Sequence, residues 1–142
     1  MAATVKSIHK KLSHLCQTYN SKAGVFPCRS FNLGQHTATY PYKDMCNLAQ
    51  AWCSITPVGT FDPKLGGHLV LKELKLIIEF PASSTILIPS ALLTHFHIPI
   101  REHETRFSIV QYVAGGLFRW VENGFMTDLE WHKVATASQV EE

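Results

Sequence analysis

Long hydrophobic runs are missing from this chain. Its most apolar stretches, Leu74 to Ala82 and Ile86 to Leu93, fall far short of the roughly 20 residues that a spanning helix needs, so no membrane span is expected. The N-terminus, MAATVKSIHKK, carries internal charge and lacks an apolar run followed by a small-residue cleavage site. It does not read as a secretory signal, and an intracellular chain is expected. A strong charge of either sign is also lacking, since 13 Lys and Arg against 11 Asp and Glu leave a net +2. So small an excess does not by itself argue for nucleic acid. Cysteine is sparse, and the spacing of Cys16, Cys28, Cys46 and Cys53 fits neither a paired-cysteine zinc site nor a dense disulfide framework. Reduced, mostly buried thiols are the expectation. Internal repeats and low-complexity segments are absent as well.

What remains is a globular composition, 46% apolar and 17% charged over 142 residues. A chain of that length forms one domain that buries roughly 68 to 70% of its unfolded surface. Val5, Ile8, Leu12, Leu15 and Tyr19 recur at steps of three and four, which predicts a helix over Thr4 to Tyr19. Lys6, Lys10 and Lys11 then lie off the apolar stripe, as a solvated face. Asn20, Ser21, Gly24 and Pro27 end the helix and keep it from resuming.

From Cys28 to Tyr112 the chain turns to short runs rich in Val, Ile, Thr and aromatics, punctuated by Gly and Pro. The pattern predicts strands over Ser30 to Leu33, Thr37 to Tyr40, Ala51 to Thr56, His68 to Leu71, Leu74 to Phe80, Thr85 to Pro89, Leu93 to Ile98 and Arg106 to Val113. About eight short strands with tight turns call for a sandwich or barrel. Gly115-Gly116 then opens an aromatic stretch, LFRWVENGF. Thr127 and Glu130 have capping-box spacing, so a helix is predicted from Asp128 to about Ala135. The organisation is an N-terminal helix and linker over residues 1–29, a β core over 30–125, and a C-terminal helix and tail over 126–142.

The histidines are the first candidates to carry chemistry. His95 and His97 are two apart on a predicted strand and project to one face. Such a pair alone is weak evidence for a metal. Asp44 upstream and Arg106 downstream add a carboxylate and a planar cationic fork suited to binding a carboxylate. Ser108 shares the face of Arg106. The plainer alternative for Arg106 is a surface ion pair with Glu102 or Glu104.

Three blocks carry a resemblance: SFNLGQHTATYPYKDMCNLAQAWCSIT, then GTFDPKLGGHLVLKELKLIIEFPASSTILIPSALLTHFHIPI, then ETRFSIVQYVAGGLFRWVENGF. Together they resemble the TET/JBP-like Fe(II)/2-oxoglutarate dioxygenase domains abundant in basidiomycete fungi, over roughly Ser30 to Phe125. The resemblance implies a mainly β fold with flanking helices (α+β), a double-stranded β-helix of the jelly-roll or cupin-like barrel type. It implies Fe(II) and 2-oxoglutarate as cofactors, release of succinate and carbon dioxide, and oxidation of a modified base in nucleic acid, with DNA as a candidate partner, which would place the chain in the nucleus. By position, the metal ligands would be Asp44 and His95, and the co-substrate residues Arg106 and Ser108. His97 falls where the family has a small polar residue and is not taken as a ligand, and Lys72 stands where an aromatic usually follows GGHLVL.

One position departs in a way that touches mechanism: Tyr42 stands where the family's first metal-binding histidine belongs. Neutral imidazole is a good Fe(II) ligand, whereas tyrosine binds well only as phenolate. Reaching phenolate at pH 7 costs about 4 kcal/mol from a reference pKa near 10. Either Tyr42 disables or weakens turnover, or it turns aside and His36, His68 or water completes the coordination. The first function reading is a weakened oxygenase, and the second a non-catalytic binding module or gene fragment retaining the barrel. A third, a cupin-like zinc or sugar-binding barrel, would use His95 with His97 and give Arg106 no role.

Overall fold

The computed structural model describes residues 2–11 and 25–135. Among them, helix α1 (Ala2–Lys11) precedes seven strands: β1 (Cys28–Asn32), β2 (Cys53–Thr60), β3 (Leu69–Leu71), β4 (Leu76–Ile78), β5 (Ile86–Ile88), β6 (His95–His97) and β7 (Thr105–Tyr112). Helices α2 (Gly115–Glu122) and α3 (Asp128–Val134) follow. The part of the predicted first helix beyond Lys11 lies outside the described residues. No helix among the described residues is long and apolar enough to cross a membrane.

The strands form two antiparallel sheets, ordered β1-β7-β2-β5 and β4-β3-β6. Alternation along each strand sends one set of side chains into the space between the sheets. Cys53 and Ile55 of β2, Ile88 of β5, Leu69 and Leu71 of β3, and Phe80 make the buried core there. A second cluster lies under the helices, where Ile8 of α1 packs with Ala51, Val113 and Phe118 of α2. Lys6, Lys10 and Lys11 are exposed, as the helical stripe predicts. The expected mainly β architecture with helices is therefore present. The expected closure into one barrel is not seen: among the described residues no ladder joins the two sheets, and the segment between β1 and β2 is stitched on by isolated bridges, His36 to Arg106, Tyr42 to His95 and Asn47 to Ala114.

Several local expectations shift. No strand forms over 37–40, and an isolated bridge is made just before it, at His36. Strand β2 runs on through Pro57 to Thr60, past the predicted end at Thr56. Proline is tolerated because the Pro57 main chain points away from β7, its carbonyl accepting from Ser83 N at 2.8 Å. On that side β5 pairs only with Cys53 to Ile55, so no ladder bond needs the missing N–H. The aromatic stretch after Gly115 is mostly helix α2. The capping box at Thr127 and Glu130 is formed as predicted. Of the cysteines described, Cys53 is buried, Cys28 half-buried and Cys46 exposed, all as free thiols, so burial is less general than expected.

Candidate functional site

The site begins with a backbone pairing. Tyr42 N donates to the His95 carbonyl at 3.2 Å, and His95 N donates to the Tyr42 carbonyl at 3.0 Å. Residues paired in this way carry their side chains on one face, side by side. The rings of Tyr42 and His95 accordingly lie 4.5 Å apart between centroids, tilted at 48°. Asp44 is two residues beyond Tyr42 and returns to the same side. Its Oδ2 stands 3.9 Å from His95 Nε2.

His95 is 1% exposed. Its Nδ1 lies 2.9 Å from the Leu93 carbonyl, and because a carbonyl only accepts, Nδ1 carries the proton. Nε2 is left with a lone pair, buried and without a hydrogen-bond partner. An oriented imidazole with a bare Nε2 beside a carboxylate is what a divalent metal requires of two of its ligands. The third donor is wanting. Burial pushes the Tyr42 phenol up to about 12, with further pushes from Asp44 and then Cys53, so the side chain is neutral at physiological pH. Among the described residues no group of three or more His, Cys, Asp or Glu side chains is placed to hold a metal ion. His36 and His68 therefore do not complete the set, and His36 Nε2 is 3.1 Å from the Glu102 carbonyl instead. The residues present do not make a full Fe(II) site.

The other end of the site is cationic. Strand β7 turns Arg106 and Ser108 inward, at 0% and 4% exposure, so Arg106 is not the surface ion-pair residue that Glu102 or Glu104 would make of it. Glu104 pairs with Arg101 at 2.6 Å. Arg106 Nη1 donates to the Thr37 carbonyl at 2.9 Å, Nη2 lies 3.1 Å from His97 Nδ1, and Nε has no partner. Among the described residues no carboxylate reaches it. Burial lowers its pKa to about 10, which still leaves a full positive charge at pH 7. Ser108 Oγ accepts from Asn32 Nδ2 at 2.8 Å, so its own proton is available to an incoming acceptor. Strand β2 makes room with Gly59, which pairs with Arg106 at φ +127°, where a Cβ would collide with the Thr105 main chain.

His97 joins the two ends. It is 7% exposed, stacked on Phe80 at 6.2 Å, and held to Arg106. Burial first, then Arg106 and His95, depress its pKa to about 3, against an opposing pull from the His68 carbonyl, so it is a neutral acceptor. The period-two spacing with His95 signalled that it faces inward, but its contact with Arg106 is set by tertiary packing. That contact is at odds with a site built on His95 and His97 alone. A cavity of about 330 Å³ opens beside Asp44 and Tyr42, walled across from them by Ser30, Asn32, Val110 and Tyr112.

No family model matches the sequence, and no curated protein matches it. Thirteen chains of solved structures do match. One is NgTET1 in complex with 5mC DNA, with a TM-score of 0.50 and 16% identity over 77% of this chain. The fold is TET-like. This chain spans about half the length of that TET chain, 48% of it. A looser superposition is with a viral collagen prolyl hydroxylase of Paramecium Bursaria Chlorella virus-1 in its 2OG complex, with a TM-score of 0.39, 17% identity, and coverage of 77% of this chain and 73% of the other. At 16% identity the likeness to NgTET1 concerns architecture alone.

Proposed function

We propose that this chain is an Fe(II)/2-oxoglutarate oxygenase-like domain that keeps the carboxylate-binding end of its site and has lost one donor at the metal end. In this reading the core is a double-stranded β-helix of the fungal TET/JBP-like type. Arg106 and Ser108 bind the far carboxylate of 2-oxoglutarate, Asp44 and His95 are the surviving metal ligands, and Tyr42 occupies the place of the missing histidine. The ancestral activity is oxidation of a modified base in nucleic acid, which suits a nuclear protein; turnover in the present chain is lost or severely weakened. The likeness to a TET structure solved with 5mC DNA supports the substrate class.

The observation that carries the carboxylate half is the fully buried Arg106 with no acidic partner among the described residues and an unpartnered Nε. An uncompensated buried cation is costly, and a bound anion offsets that cost. The neutral Tyr42 phenol favours the second reading, a non-catalytic module or gene fragment that binds a carboxylate without turning it over. Anaerobic titration with Fe(II) and 2-oxoglutarate, wild type beside Tyr42→His, tests the pair. The expected outcome is weak iron binding and no 2-oxoglutarate decarboxylation in wild type, with tighter iron binding in the variant, since neutral imidazole is the better Fe(II) ligand. Wild type that binds iron as tightly as Tyr42→His and consumes 2-oxoglutarate would refute the loss of function.

A further inference from the structure

The guanidinium of Arg106 is a planar fork in which Nε–H and the neighbouring Nη2–H run parallel and match the two oxygens of a carboxylate. In this chain Nη2, which bears one tine of that fork, is already engaged, meeting His97 Nδ1 at 3.1 Å. The other tine, Nε, is buried and has no partner. An imidazole has a single lone pair to offer at Nδ1, so it can satisfy one tine and never both. His97 therefore sits on Arg106 as an incomplete substitute for a carboxylate, in the place where the better ligand would bind. The ring also has somewhere to go: it borders a cavity of about 430 Å³ between residues 38–41 and 96–99.

We propose that His97 is a displaceable internal ligand of Arg106, which a carboxylate must push aside, into that cavity, to engage both Nε and Nη2. The inference rests on the carboxylate-site reading above and adds regulation to it. The occupied and open arrangements of His97 then set the apparent affinity, which falls in proportion to the fraction of molecules in the open form. His97 acts here through Arg106 and is a positioning residue.

The test is an NMR titration, ligand-observed for affinity and protein-observed at the histidine ring nitrogens, of the metal-free protein with 2-oxoglutarate and, separately, succinate, comparing wild type, His97→Ala, His97→Phe and Arg106→Gln. His97→Phe keeps an aromatic ring, somewhat larger than imidazole, to stack on Phe80 but has no acceptor, so it carries the test if the alanine variant does not fold. Removing the acceptor is expected to tighten both probes about tenfold, the gain when the occupied form outnumbers the open one by about ten to one. Arg106→Gln is expected to abolish binding, and the His97 Nδ1 resonance of wild type is expected to move as 2-oxoglutarate saturates the site. Arg106-dependent binding that is unchanged or weaker in the His97 variants, or a His97 resonance that stays put at saturation, overturns the inference and leaves the carboxylate site standing. Binding indifferent to Arg106→Gln, or no binding by any of these proteins, removes the carboxylate site and the inference with it.

Discussion

Tyr42 and His95 exchange both of their backbone hydrogen bonds, at 3.2 and 3.0 Å, and hold their rings 4.5 Å apart. The pairing is made by main-chain atoms, so it does not depend on which side chain residue 42 carries. Asp44 is brought to His95 by the same pairing. The backbone thus holds His95 and Asp44 together whatever side chain stands at residue 42, and the consequences of the proposed reading can be measured one residue at a time.

Arg106 is the first case. Its guanidinium is fully buried and held by two neutral acceptors, the Thr37 carbonyl and His97. An apolar side chain of similar length removes the cost of burying an uncompensated charge, which offsets leaving the Thr37 carbonyl and His97 Nδ1 without their donor. Arg106→Met is expected to unfold in urea within about 1 kcal/mol of wild type, or later, in the absence of ligand. It is also expected to lose all stabilisation by 2-oxoglutarate, which acts only through binding to the native state. A loss above about 3 kcal/mol would show instead that the guanidinium is needed to hold the fold.

Gly59 gives a sharper stability prediction. Its φ of +127° disfavours any side chain, and the added Cβ would meet the main chain of Thr105, on the strand that carries Arg106. Gly59→Ala is expected to cost about 2–4 kcal/mol in urea unfolding, since both the backbone and the packing must yield. Carboxylate binding should weaken with it as β7 shifts. An alanine variant as stable as wild type would contradict the close approach of β2 and β7 at this point.

Acid sensitivity should localise partly to Glu104. The Arg101 guanidinium, with the amides of Arg101 and Asp62, holds its carboxyl down at about 2 against an ordinary 4.5. A carboxylate with a lowered folded-state pKa stabilises the protein above the unfolded value, and that contribution is lost as pH falls toward the folded value. Glu104→Gln should therefore lower the urea midpoint at pH 7, with the difference from wild type shrinking between pH 4.5 and about 2. A difference that persists unchanged at the acid end would assign the effect to packing.

Helix α3 is expected to answer locally. The Thr127 side chain accepts from Glu130 N at 3.3 Å, while Glu130 Oε2 accepts from Thr127 N at 2.8 Å, and none of the helix's residues is buried. Thr127→Ala should cost about 1 kcal/mol of helix stability. Amide exchange over Asp128–Val134 should then quicken about fivefold while the global unfolding midpoint stays in place. A shift of the global midpoint by the full amount would mean that α3 unfolds with the core.

Much of this molecule was legible in its sequence where physics is local. The alternation around His68 to Leu71 and Arg106 to Val113 placed strands to within a residue or two, and the spacing of Thr127 and Glu130 gave the cap. Helix α2 was not legible, because Gly115 and Gly116 at its start are poor helix formers and tertiary packing of Phe118 outweighs them. Strand β2 looked shorter than it is because Pro57 counts against a strand unless its N–H side is unpaired, which only the sheet order reveals. At the site, the order of Asp44, His95 and Arg106 could be read along the chain. The contact of His97 with Arg106 could not, since it depends on how β6 and β7 face each other across the core.

The backbone pairing at residue 42 also bears on descent. Tyrosine and histidine codons differ only in their first base, so a single transition exchanges one residue for the other. Because the main-chain bonds at this position hold with either residue, such a change requires no rebuilding of the neighbouring strand. The gene thus stands one nucleotide away from an imidazole at residue 42, beside His95. In the proposed reading, a complete and an incomplete set of metal donors differ by a point mutation.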